Sequence, residues 1–209
     1  MSEQDISNDD HNIDFQRISE FVIKYEQIKN SVEIKKYKEE STKKDFIQPL
    51  FESLGWNFSN IGKTTDFVSA EEIISKKRMD YGFRINVIPK FFLEAKSLRE
   101  ENIQTNQNYA TQAIDYAWMK SCSWAILTNF ETIAVYNADW KESNYGNNLF
   151  FVLHPSEFLT DNRFTYLSKG AFENYELDKL ASKYGKKQLK NPINKQLLQD
   201  MINFRDSVQ

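Results

Sequence analysis

Only one cysteine, Cys122, occurs in 209 residues, so no disulfide can form within the chain, and this usage fits a reducing cytosol. Two histidines, His11 and His154, leave too few imidazole and thiolate ligands for a structural zinc site or a c-type haem attachment. Glycine and proline are scarce, at 6 and 4 residues, against a usual combined share of about 12%. Collagen-like and flexible-linker readings are thereby excluded. No long hydrophobic run exists either: the longest, Leu149 to Leu153, has five residues, where a membrane-spanning helix needs about 20. A basic excess is also missing. The chain holds 27 Lys+Arg against 30 Asp+Glu, a formal net charge of -3, so its surface as a whole does not grip nucleic acid. Local clusters such as Lys35, Lys36 and Lys38, or Lys43 and Lys44, keep that option open regionally. The opening stretch Met1 to Asp14 carries five acids and no base, the reverse of a secretory or transit peptide, and a cytoplasmic protein is expected.

The chain is long enough for one domain with short appendages. Residues 1–14 read as a mobile acidic leader, residues 15–160 as the core and residues 161–209 as a helical extension. Ile18, Phe21, Val22, Tyr25 and Ile28 recur at helical spacing. Phe46, Ile47, Leu50, Phe51 and Leu54 form a second stripe that stops at Gly55, with Pro49 expected to kink it. After Trp56 the period changes to two. Met79, Tyr81, Phe83 and Ile85 alternate with polar residues, and Phe91 to Lys96 forms a second strand. A helix through Tyr109, Ala113, Tyr116 and Ala117 follows, then strands at Trp124–Leu127, Thr132–Tyr136 and Leu149–Leu153. From Pro155 onward the pattern is helical. This order predicts a mixed α/β domain. Phe91, Trp118 and Trp124 read as core, and Cys122 as a small buried residue. Gly62-Lys63-Thr64 lacks the glycine a phosphate-binding loop needs at position 57, which is Asn57.

Asp80, Glu94 and Lys96 are the chemically telling group. If the two strands pair about a turn centred on Val87, Asp80 falls opposite Glu94, with Lys96 beside them. Two carboxylates and an ammonium are the parts needed to hold Mg²⁺ and to activate a water against a phosphate. The plain alternative is a cross-strand ion pair. Glu33-Ile34-Lys35 repeats the Glu-x-Lys spacing, but in polar surroundings. Glu94 ends the apolar run Phe91-Phe92-Leu93, where a carboxylate must be solvated, paired or bound to metal.

Glu39-Glu40-Ser41-Thr42-Lys43-Lys44-Asp45-Phe46-Ile47-Gln48-Pro49-Leu50, continuing to Leu54-Gly55-Trp56, resembles the opening helix of a nuclease domain found in type I restriction R subunits and fused (type IIG-like) restriction–methylation enzymes. Arg78-Met79-Asp80-Tyr81 with Phe92-Leu93-Glu94-Ala95-Lys96 is similar to that domain's Asp…Glu-x-Lys core. Gln112-Ala113-Ile114-Asp115-Tyr116 is similar to its Gln-x-x-x-Tyr helix. The resemblance runs from about Glu39 to about Phe204. It implies a restriction-endonuclease-like PD-(D/E)xK core, a mixed central sheet flanked by helices, and a helical C-terminal tail. It further implies Mg²⁺-dependent cleavage of double-stranded DNA, with Mn²⁺ able to substitute. By the same resemblance Asp80 and Glu94 bind metal, with Ala95 and Glu39 among the metal-binding positions. Lys96 serves the attacking water, Gln112 positions phosphate or water, and Lys43 and Tyr116 contact DNA. Either Glu39 or Glu40 faces the site, and Lys43 stands where the family usually carries arginine.

Relatives of this kind carry a methyltransferase, specificity or motor module, and no ATP or methyltransferase motif occurs in these residues. The expectation is a nuclease module, whether fragment or stand-alone gene. The competing expectation is a catalytically silent DNA-docking or assembly module in which the triad is a leftover ion pair.

Overall fold

Alternation of apolar and polar residues makes Tyr81 and Phe83 of one strand, and Phe91 and Leu93 of the next, present one common face. In the computed structural model these strands lie within a six-stranded sheet ordered β1 to β6: Phe67–Ile74, Lys77–Ile85, Ile88–Ala95, Trp124–Thr128, Ile133–Asn137 and Leu149–Leu153. The structure describes residues 12–59, 65–74, 77–140 and 145–185. All neighbours pair antiparallel except β3 and β4, which are parallel. A parallel pair needs a crossover, and helix α4 (Gln107–Met119) supplies it. The sheet is therefore mixed, and the expected α/β architecture stands. The strand β1 has no counterpart in the sequence reading. The leader up to residue 11, Gly62-Lys63-Thr64 and the tail beyond residue 185 lie outside the described residues.

Each sheet face has its own packing chemistry. Over one face α4 places Ala110, Ala113, Ile114 and Ala117 on Phe92, Ala125, Leu127 and Ala134; small alanines let the helix approach closely. The other face is aromatic. Phe83 and Phe91 stack with centroids 4.1 Å apart, and Trp56 meets both edge-on at 5.1 and 5.2 Å. Trp56 Nε1 donates to the Leu167 carbonyl at 2.9 Å, which satisfies its polar atom in an otherwise apolar wall. Phe51 and Phe172 complete that wall. They come from helices α3 (Gln48–Ser53) and α5 (Lys169–Glu173).

On this side the chain opens with α1 (Phe15–Ile28), capped by the Asp14 carboxylate on the Arg17 N–H. Glu39 to Ser53 is one helical stretch in three parts: α2 (Glu39–Thr42), a π turn (Lys43–Ile47) and α3. Pro49 explains the middle part. Its missing N–H and its ring conflict with the Asp45 carbonyl in a regular helix, and the wider turn relieves that conflict. The Asp45 carbonyl instead accepts from Lys24 Nζ at 3.5 Å. The expected kink takes the form of this π turn. A further helix, α6, covers Glu176–Lys183. No helix among the described residues is long and apolar enough to cross a membrane.

The β2–β3 hairpin sets the site register. Its turn residues Asn86 and Val87 both have positive φ, 52° and 59°, as a two-residue hairpin loop of this hand requires. Counting inward from Ile85↔Ile88 and Arg84↔Pro89 would set Asp80 against Leu93. The register shifts after Arg84, so that Phe83 meets Phe91 and Tyr81 meets Leu93. Lys90 is the extra residue, a β-bulge. In the shifted count Asp80 falls level with Glu94, as the sequence predicted, although the turn lies at Asn86–Val87 and the bulge makes up the difference.

Candidate active site

Pairing of β2 with β3 runs as far as Tyr81↔Leu93, and beyond it the strands part. The Asp80 side chain fills the gap, its Oδ2 accepting the Ala95 N–H at 2.7 Å. Glu94 and Lys96 follow on β3 and just past its end, with Oε1 to Nζ at 2.5 Å and side chains only 5% and 10% exposed. On the far side β4 holds this segment in place. Glu94 pairs with Leu127, Ala95 with Thr128, and the Lys96 N–H donates to the Thr128 carbonyl at 2.8 Å. The triad is thus built on central backbone rather than on a loop.

Helix α2 is stitched to the same place. Thr42, fully buried, accepts the Leu98 N–H on Oγ1 at 2.9 Å, and Ser97 Oγ donates to the Tyr37 carbonyl at 2.6 Å. Lys43 consequently projects into the gap between strands. Its Nζ lies 2.5 Å from Asp80 Oδ1, 2.9 Å from Glu39 Oε1 and 3.0 Å from Glu40 Oε1. Glu39 is 42% exposed and Glu40 83%, and the charge of Glu39 is felt at Glu94 and Tyr109. Both reach Lys43, Glu39 from the less exposed position.

Four carboxylates (Glu39, Glu40, Asp80, Glu94) share two ammonium groups (Lys43, Lys96). The imbalance shows in Glu94. Burial and the nearby Asp80 charge push its carboxyl up to about 7, against the opposing hydrogen bond from Lys96. For Lys43 burial acts downward, but hydrogen bonds with Asp80 and Glu39 outweigh it and hold the ammonium above its ordinary range. A region short of positive charge, with hard carboxylate oxygens and strained ionisation, suits a hard divalent cation. Mg²⁺ needs only one or two carboxylates because it keeps several waters. Asp80 and Glu94 fit that demand. Among the described residues no three carboxylate, imidazole or thiol side chains already converge in a metal-binding group.

The helix α4 closes the other side. The Tyr109 ring lies 4.6 Å from Lys96 Nζ, and its hydroxyl donates to Glu100 Oε2 at 2.5 Å. That hydrogen bond, before burial, raises the Tyr109 phenol. Gln112, one turn further, points its Nε2 at the Arg78 carbonyl at 3.5 Å, two residues before Asp80. The structure therefore brings Asp80, Glu94, Ala95, Lys96, Glu39, Lys43 and Gln112 to one end of the sheet. Tyr116 is not among them. It is 1% exposed and meets Phe92 edge-on at 5.0 Å, so the expected DNA contact is corrected to a core role. Lys43 is likewise engaged internally rather than presented to solvent. Trp118, expected in the core, is 47% exposed because it lies off the α4 stripe of Ala110, Ala113 and Ala117. Tyr109 and Thr42 were missed as site residues. Tyr109 lies three residues before Gln112, a same-face spacing that could have signalled it.

Over 111 residues the chain is 35% identical to the type II restriction enzyme and methyltransferase RM.Eco57I of Escherichia coli, a match covering 49% of this chain and 11% of that protein. The chain therefore spans only about a tenth of that relative's length. No family model matches the chain, and no solved structure matches it. The six-stranded mixed sheet flanked by helices is compatible with a restriction-endonuclease-like core.

Proposed function

We propose that this chain is the nuclease region of a restriction–modification enzyme, a PD-(D/E)xK endodeoxyribonuclease dependent on Mg²⁺. The observation that carries the reading is the meeting of Asp80, Glu94 and Lys96 where β2 and β3 part, with both Glu94 and Lys96 buried. Asp80 and Glu94 would hold the ion, with Ala95 and Glu39 beside them. When bound, Mg²⁺ supplies a Lewis acid and lowers the pKa of coordinated water. Lys96, steadied by Glu94 and the Tyr109 ring, sets a positive charge beside the attacked phosphate and orients the water. Water adds to phosphorus, the P–O3′ bond breaks, and the 3′-oxygen leaves with a proton. Gln112 supplies a neutral amide next to the strand that bears Asp80. The relative's name pairs restriction with methylation, so a methyltransferase or specificity module is the expected partner.

Nicking of supercoiled plasmid with Mg²⁺ or Mn²⁺ tests this directly. Wild type should nick, and Asp80→Ala and Lys96→Ala should not. Equal nicking by all three would place the activity elsewhere. No nicking by the wild type, together with no metal binding, would favour a silent docking module.

A further inference from the structure

Three carboxylates gather around one ammonium in this site. Lys43 Nζ is within 3.0 Å of oxygens from Asp80, Glu39 and Glu40, and its side chain is only 10% exposed. One of those acids, Asp80, is a ligand the proposed function gives to the metal, and Glu39 stands beside it. We infer that Lys43 is a built-in counter-ion that a divalent cation must displace from Asp80, so that metal uptake is an exchange of ammonium for metal. This inference rests on the nuclease reading and adds how the site is regulated.

Electrostatics and reach both support the exchange. An ammonium and a divalent cation on the same carboxylate repel at about 3–5 Å, in surroundings with an effective dielectric far below that of water. Asp80 cannot hold both without strong opposition, because its other oxygen, Oδ2, already accepts the Ala95 N–H, whereas Lys96 engages Glu94 through Oε1. Lys43 also has somewhere to go. Glu40, its third partner, is 83% exposed, so the flexible side chain can leave Asp80 and remain paired at the surface. Lys96 has no such exit: its partner Glu94 is 5% exposed and its other side is covered by Tyr109. The two lysines therefore differ in kind, Lys96 fixed and Lys43 displaceable.

Isothermal titration of the full chain with Ca²⁺ and Mg²⁺, without DNA, tests the exchange. Lys43→Met should bind metal about tenfold more tightly than wild type or better, and Asp80→Asn should lose binding. A merely structural Lys43 would give the opposite sign, because its loss would loosen the carboxylates. Equal affinity of wild type and Lys43→Met overturns the inference and leaves the nuclease reading standing. Absence of binding in both, or binding untouched by Asp80→Asn, overturns the nuclease reading and the inference with it. Should Lys43→Met fail to fold, reductive methylation of the wild type read by mass spectrometry answers the same question. Lys43 should be protected without metal and methylated several-fold faster with Ca²⁺, and identical rates would overturn the inference.

Discussion

Replacing Glu94 by glutamine should stabilise the metal-free protein at alkaline pH, although Glu94 is the partner of a buried lysine. The Glu94 carboxyl is held at about 7 in the fold against 4.5 unperturbed, first by burial and then by Asp80. A folded pKa above the unfolded one means the folded state binds more protons. Its benefit is complete below pH about 4.5 and is lost as pH rises towards 7. At about 1.4 kcal/mol per unit, the ionised carboxylate burdens the fold by about 3 kcal/mol at pH 8. Glutamine mimics the protonated acid, so Glu94→Gln should gain about that amount at pH 8 and almost nothing at pH 4.5. For a domain of this size the gain is about 6–12 °C in Tm. Urea or thermal unfolding in EDTA at several pH values measures it. Mg²⁺ should then raise the wild-type Tm by ligand linkage and leave the variant unchanged. The opposite ordering at pH 8, with the variant weaker, would mean that Glu94 serves Lys96 as a structural counter-ion rather than as a metal ligand.

Lys96→Ala should lower nicking by about 10²–10³ while keeping most metal affinity, since it removes a charge near the reacting phosphate and no metal ligand; parallel calorimetry separates the two effects. Deleting Lys90 should close the bulge, keep Asp80 level with Glu94 and preserve metal binding, because the deleted residue is the one left out of the β2–β3 pairing. Loss of Ca²⁺ binding in that variant would contradict the register. Tyr116→Ala should cost about 3–5 kcal/mol in urea unfolding through its contact with Phe92, with DNA affinity per folded molecule unchanged. Thr42→Val should leave the Leu98 N–H without its acceptor at a cost of about 1–3 kcal/mol, and nicking should fall further than stability does.

Period-two and helical spacing located α1, β2 to β6 and α4 because each buries one continuous face, and burial is what patterning records. They missed β1, an edge strand whose Ala70 and Glu71 break any clean alternation and which needs only one partner. The π turn was not legible either. Proline announces a disturbance, but whether the helix kinks or widens depends on what donates to the freed Asp45 carbonyl, here Lys24 from a different helix. The same limit separates Gln112 from Tyr116. Both lie on α4 one turn apart, yet only contact with Phe92 shows that Tyr116 points into the core.

Asp80 and Glu94 were legible for a physical reason. A strand that ends an aromatic run with a carboxylate must compensate that charge locally, and the compensating groups must come from whatever the chain can bring to that end of the sheet. Lys96, two residues on, is the sequence-local answer. Lys43 is the non-local one, delivered because Thr42 bonds the backbone beyond β3 and the π turn begins at the next residue. No spacing rule links positions 43 and 80. What links them is a shortage of positive charge among four carboxylates, the same shortage on which the proposed divalent-cation site rests.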